Sequence, residues 1–524
     1  MKKIIFILVS LISVNVLQAA ALPDNMYFRA MQDEMKRTMK EYRIEKGPKI
    51  FYMAYKLVRI QQLSVQAVFG SRIPSSKHDS INIRTMVDLG TYKNDALGFR
   101  DSDDFYWSTG ATSVPRSYEG IRQKLWLSSN EQILEQLKRY EKKQAYKKQK
   151  QIKQDDFYDF APVKPSSYVE DLKKFNPPSQ EYLEKLAKKL SDRGKEYSFL
   201  EDFSVYFSIY LKDSFFLNSE GSFYQYSEPK VDISFHGTIR HEKGFILRVS
   251  ESLRFQELTE DKEPLLEQKA NELLQKLVAQ YKAPVVEKPY IGPVLLKPQA
   301  VALFLRQSFS FSNISPLLIN DMDEDPSVSA FRNKLGMRVM SPGLSVYDRP
   351  SWREYKGYPL DFRPMDDEGV LSEDLQLINN GKLTALPLSR RSGKKGKSNG
   401  HGFMFGGYPR EHPSTLVLEA KNPLSQKELE ETLLERCREW EVDSCYIAHN
   451  FDSFERIDMK TGKRAFVLGL DLRHSYERSL RDILAVGDDF SVKSQMVVPS
   501  LLLEEVEIIN KEQIPSRAPY IPRP

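Results

Sequence analysis

The chain is 524 residues long, 40% hydrophobic and 28% charged, the make-up of a soluble globular protein with room for two or more domains. Its formal charge of +5 falls to +3 once Lys2 and Lys3 are set aside. That excess is too small to make nucleic acid the expected partner.

Residues 1–21 read as a secretory signal peptide: Lys2 and Lys3 form a basic start, Ile4 to Val16 an apolar run, and Ala19, Ala20 and Ala21 a small-residue cleavage site. The apolar run is shorter than the roughly 20 residues a spanning helix needs. No later run approaches that length, so the expectation is an exported chain, periplasmic or secreted, with no integral membrane segment after cleavage. No cysteine follows the run closely, which argues against a lipid anchor. Cys437 and Cys445, eight positions apart, are the only cysteines. An oxidising compartment would permit a bridge between them, and the sequence leaves open whether their Cβ atoms face each other.

Residues 25–43 form a charged amphipathic helix with Met26, Phe28, Met31, Met35 and Met39 near helical spacing, a stripe better suited to core packing than to a binding groove. Three strands are expected next, at 51–55, 63–70 and 81–90, in an antiparallel meander. Residues 92–116, rich in Asp, Gly and Ser, read as a surface loop. Ser128 and Glu131 have capping-box spacing and open a helix to residue 153, whose many lysines read as a solvated face rather than an anionic docking surface. Residues 155–178 carry Pro162, Pro165, Pro177 and Pro178 and read as a crossover. After a helix at 180–190 the pattern turns to alternating strands over 203–249, with Asn218-Ser219-Glu220-Gly221 as a hairpin turn. A helix at 265–281 and a proline-rich connector at 284–293 end the first half. The domains read as 22–285 and 286–524.

The second half opens on Gly292-Pro293-Val294-Leu295-Leu296, a buried strand, and Pro298 suits the first position of the following helix. Asp366, Asp367 and Glu368 precede Gly369, and three adjacent carboxylates cannot wrap a hard cation alone, so a turn closed by Gly369 is the expected role. Asn379-Asn380-Gly381-Lys382 marks a hairpin between 375–378 and 383–386. Gly396-Lys397-Ser398 imitates the end of a phosphate-binding loop, but Arg391 stands where that pattern requires glycine and no helix former follows. A strand at 416–419, a helix from a capping box at Ser425 and Glu428 with Leu424 and Leu429 as a hydrophobic staple, and paired strands at 444–450 and 463–471 complete the elements.

Taken in order, the segments Gly292-Pro293-Val294-Leu295, Gly336 to Val339, Asp366 to Gly369, Asn380-Gly381 and Asn399-Gly400-His401-Gly402 resemble the TldD/PmbA metallopeptidase family, and the Asn218 to Gly221 turn resembles one in the same proteins. The resemblance implies an α+β fold of two halves, with largely antiparallel sheets flanked by helices, assembled as a dimer. It implies catalytic subunits that cleave unfolded peptides with a zinc held by His-Glu-x-x-x-His. Here that motif falls on Arg306-Gln307-Ser308-Phe309-Ser310-Phe311. A guanidinium has no lone pair for a metal, the amide of Gln307 cannot act as general base, and Phe311 offers carbon only. The region 485–503 also lacks the family's cysteine ligand. The resemblance therefore points to a noncatalytic peptide-binding or regulatory subunit, with no catalytic residue and no metal ligand of its own, and zinc only in an intact TldD-type partner of a homo- or heterodimer. Asp367, Glu368, Gly369, Asn399, Gly400, His401 and Gly402 are the candidates to line a cleft for unfolded or extended peptide. A hydrolase rebuilt around His401, Asp367 and Glu368, or a non-enzymatic envelope binding protein, are the alternatives.

Overall fold

The computed structural model describes residues 21–43, 47–96, 112–113, 115–151, 158–241, 246–286, 288–310, 314, 331, 333–392, 397–405, 408–473, 476–493 and 495–510. Of the expected leader only Ala21 is among them, and Phe311 and Gly396 are not.

An eight-stranded sheet built on long antiparallel hairpins organises the first half. Ile50–Val68 and Ser71–Thr91 pair along most of their length. They are joined at Phe69 and Gly70, whose φ values of 45° and 68° are the left-handed pair a tight hairpin demands. The separate strands expected at 51–55 and 63–70 are thus one strand. Leu57 faces the core while Lys56 and Arg59 find carboxylate partners, so the charged middle carries no break. Leu200–Asn218 pairs with Ile50–Val68, then Phe223–Arg240 and Ile246–Phe255 follow. Ser167–Val169, inside the expected crossover, adds a short parallel strand on Phe223–Arg240.

The long helix starts eleven residues earlier than its capping-box spacing suggested. It spans Tyr118–Gln149, and the side chain of Ser117 accepts the N–H of Gly120. Ile121 and Leu125 extend the buried stripe upstream of Ile133, so burial overrides the local signal at Ser128. Nor is the lysine face wholly solvated: Lys143 is buried, and its Nζ donates to the Asp95 carbonyl at 2.6 Å and to Asp159 at 2.6 Å.

In the second half Tyr290–Leu296 lies inside a seven-stranded sheet, antiparallel to Leu501–Asn510 and parallel to Ser444–Asn450. Pro298–Ser308 follows as a helix with Pro298 in its first turn. A six-stranded sheet runs through Leu375–Asn379, Leu344–Asp348 and Leu416–Ala420. The capping box at Ser425 and Glu428 forms as expected. Ser444–Asn450 pairs with Ser453–Asp458, a strand the sequence reading missed, and the expected strand at 463–471 divides into Arg464–Val467 and Leu470–Arg473, with Gly469 between them at φ 84°. Cys437 and Cys445, both buried, are joined in a disulfide between the helix Gln426–Glu439 and the strand Ser444–Asn450. Among the described residues no helix is long and apolar enough to cross a membrane.

The large hydrophobic clusters keep to one half or the other, with one exception. Phe362 and Met365 of the second half pack among Tyr52, Phe160, Phe216, Tyr224 and Tyr226 of the first. This shared cluster lies beside the acidic turn.

Candidate functional site

The acidic turn is held from inside the protein. Asp366 Oδ1 accepts the N–H groups of Glu368 at 3.0 Å and Val370 at 2.9 Å, and Oδ2 accepts that of Gly402 at 3.0 Å. Gly369 closes the turn at φ 86°, and a Cβ there would stand 2.6 Å from Asn218 Nδ2 and 2.9 Å from Ser222 Cβ. The glycine is therefore required twice, by its backbone conformation and by the approach of the Asn218 to Gly221 hairpin. Two segments read separately in the sequence, one from each half, meet here.

Asp367 reaches the first half. Its Oδ1 accepts Lys56 Nζ at 2.6 Å and the Tyr224 hydroxyl at 3.3 Å, and Oδ2 accepts the Met404 N–H at 2.7 Å. Burial works to raise this carboxyl, but the Lys56 ammonium, the Met404 N–H and Arg363 together outweigh it and hold the group below its usual range. Glu368 has the opposite surroundings. It is fully buried; Oε2 accepts the Arg390 N–H at 2.6 Å, while Oε1 faces Arg391 Nε at 3.8 Å. Among the described residues neither of those two facing atoms has a hydrogen-bond partner. Burial first, then the neighbouring Asp366, push Glu368 up to about 8.

Two adjacent arginines complete the junction. Arg390, with no exposed side chain, donates from Nε to the Ala161 carbonyl at 2.8 Å and from both terminal nitrogens to Glu220 at 2.5 and 2.8 Å, and its guanidinium lies 3.8 Å from the Phe160 ring centre. Arg391 donates to Asp88 at 2.7 Å and to Asp95. Neither arginine, nor Asp88, Asp95, Lys143 or Glu220, was read as a site residue in the sequence. Their one legible signal is Asp88 within the apolar run Met86-Val87-Asp88-Leu89, an acid at a strand position that faces inward.

The Asn399 to Gly402 loop is also internal. His401 is fully buried, with Nδ1 2.9 Å from Asn399 Oδ1 and Nε2 3.0 Å from Asp348 Oδ2. Asp348 is occupied in turn by the N–H groups of Ser414 and Thr415. Asn399 ties Leu386 and Leu388 together through its amide, and a Cβ on Gly400 or Gly402 would strike the Leu371 carbonyl at 2.3 Å or Glu368 Oε2 at 2.6 Å. Of the seven candidate cleft residues, Asp367, Glu368 and Gly369 meet the first half directly and Gly402 packs on Glu368, while Asn399, Gly400 and His401 bond and pack within the second half.

At the helix end where the family's zinc motif aligns, Arg306 is exposed, Ser308 Oγ donates to the Phe304 carbonyl at 2.8 Å, and Phe309 stacks on Phe331. This set of groups does not fit a zinc ion: it presents a cation, an amide, a hydroxyl committed to its own helix and a ring. Among the described residues no three His, Cys, Asp or Glu side chains are grouped as metal ligands.

An α+β chain of two halves, with mainly antiparallel sheets joined through this acidic turn, has the TldD/PmbA architecture. Residues 289–510 match the PmbA/TldA metallopeptidase C-terminal domain, which assigns that part of the chain to the domain family. Its fold is similar to a protein of Thermotoga maritima described as a candidate modulator of a DNA gyrase (15% identity, TM-score 0.62, covering 92% of this chain and 100% of that one). It is similar also to TldE from Thermococcus kodakarensis (14%, 0.60, 92% and 100%) and to a second candidate gyrase modulator, from Bacteroides thetaiotaomicron (14%, 0.58, 92% and 99%). No curated protein sequence matches the chain.

Proposed function

We propose that the chain is an exported, noncatalytic TldD/PmbA-type subunit that binds unfolded or extended peptide by strand addition and works beside a zinc-bearing TldD-type partner. The observation that carries this reading is the donor set at the end of Pro298–Ser308, where Arg306 and Gln307 stand in the places of a ligand and a general base. Similarity in fold to a protein named TldE supports it. Against a hydrolase rebuilt around His401, Asp367 and Glu368 weighs the burial of all three and their bonds to neighbouring main chain and side chains.

Metal analysis of the purified chain tests the first part: we expect substoichiometric zinc and no chelator-sensitive cleavage of an unfolded peptide. Stoichiometric zinc with such cleavage would overturn it. Affinity capture from native periplasm and membranes tests the second, with a partner carrying an intact His-Glu-x-x-x-His motif as the expected product.

A further inference from the structure

The junction places more acids than one guanidinium can satisfy around Arg391. Asp88 and Asp95 of the first half both bond to it, and Glu368 of its own half faces its remaining nitrogen at 3.8 Å. Each of the three carboxylates is fully buried. The other charged groups set around them are Asp366 and Asp367 on the same turn, Arg390 next in sequence, Glu220 on the hairpin, Lys56 on the strand Ile50–Val68, and Lys143 with Asp159 beyond Asp95. The Tyr52 hydroxyl donates to the Glu368 carbonyl at 3.2 Å.

Arg391 is thus contested between the halves. An ionised Glu368 draws the guanidinium toward its own half, whereas a protonated one leaves it to Asp88 and Asp95 across the junction. Buried like charges at this spacing do not all ionise together.

We propose that this cluster is a pH-sensitive clasp between the two halves, in which a proton held on Glu368 commits Arg391 to Asp88 and Asp95 and its loss loosens the docking. The clasp is independent of what the chain binds.

The direction of the effect follows from the surroundings. Burial raises Glu368, Asp88 and Asp366, in each case with a neighbouring carboxylate adding to the rise. A carboxyl raised in the docked state stabilises docking most below its ordinary range near 4, and that contribution is lost as pH climbs toward 8. Asp367 and Asp361 are lowered, so their contributions are lost only below the ordinary carboxylate range and leave the window from 6 to 9 to the raised groups.

Hydrogen exchange of the full chain between pH 6 and 9, corrected for the intrinsic rate at each pH, tests the proposal. Peptides spanning 50–56, 158–161 and 386–392 report the junction, and peptides spanning 290–305 report the core of the second half. In the wild type we expect junction protection to fall with rising pH, by up to about tenfold per unit for one proton, while the 290–305 peptides do not follow. Glu368→Gln, which keeps the shape and removes one titrating carboxyl, should make the junction profile shallower, with Asp88 and Asp366 left to titrate. Asp88→Asn gives the same comparison from the other half should Glu368→Gln not fold. A flat wild-type profile, an unchanged slope in the variants, or parallel loss in the 290–305 peptides would each overturn the clasp.

Discussion

Arg390 shows how far a single side chain can tie the halves together. Its guanidinium holds Glu220 through two nitrogens, the Ala161 carbonyl through a third, and lies against the rings of Phe160 and Tyr52. Planar, bidentate recognition of this kind belongs to arginine and not to lysine. Removing it leaves Glu220 without its principal cation and opens a space against Phe160. Arg390→Ala should therefore destabilise the chain by about 3–5 kcal/mol, and Arg390→Lys should restore only part of the loss. Denaturant unfolding of both variants measures this. Equal stability of Arg390→Lys and the wild type would show that charge alone matters. In the sequence this residue stands just before the glycine- and lysine-rich segment around Gly396-Lys397-Ser398 and carries no signal of its own, because the feature that defines it, a carboxylate 170 positions away, is invisible to local pattern.

At the scale of elements, local chemistry was a sound guide wherever it coincided with burial, and it misled where the two diverged. The hairpins at Asn218 to Gly221 and Asn379 to Lys382 and the capping box at Ser425 all form, since turn and cap chemistry is written in adjacent residues. The long helix is the counter-example. Ser128 with Glu131 has the spacing of a cap, yet both lie inside the helix, and Ser117 caps it instead. The two serines consequently make opposite predictions. Ser117→Ala should lower stability by about 1 kcal/mol through a lost cap. Ser128→Ala, in a helix interior, should stay within roughly 0.5 kcal/mol of the wild type. Thermal unfolding of the two variants side by side decides where the helix begins.

For the whole molecule, the order of short motifs sufficed to suggest the family and its two α+β halves, but not the way those halves join. A sequence displays each motif beside its neighbours along the chain, whereas the junction is assembled from Asp88, Asp95, Glu220, Asp366 to Glu368 and Arg390–Arg391, charged groups far apart in the chain of which all but Glu220 are buried. The cysteine pair was undecidable for the same reason: spacing of eight permits a bridge without orienting the two Cβ atoms, and only the packing of a helix on a neighbouring strand brings the sulfurs together. That bridge links the fold to the compartment. A disulfide closing so short a loop stabilises a chain by about 2–3 kcal/mol in the loop-entropy account, and it persists where thiols are not kept reduced. If the chain is exported as its first residues suggest, protein isolated from its native source and denatured without reductant should resist thiol alkylation at Cys437 and Cys445 and take up two labels after reduction. Cys437→Ser with Cys445→Ser should fold to the same structure with a lower unfolding midpoint. Two freely alkylated thiols in native material would place the protein in a reducing environment and remove the bridge from the account of its stability, while leaving the arginine–carboxylate junction untouched.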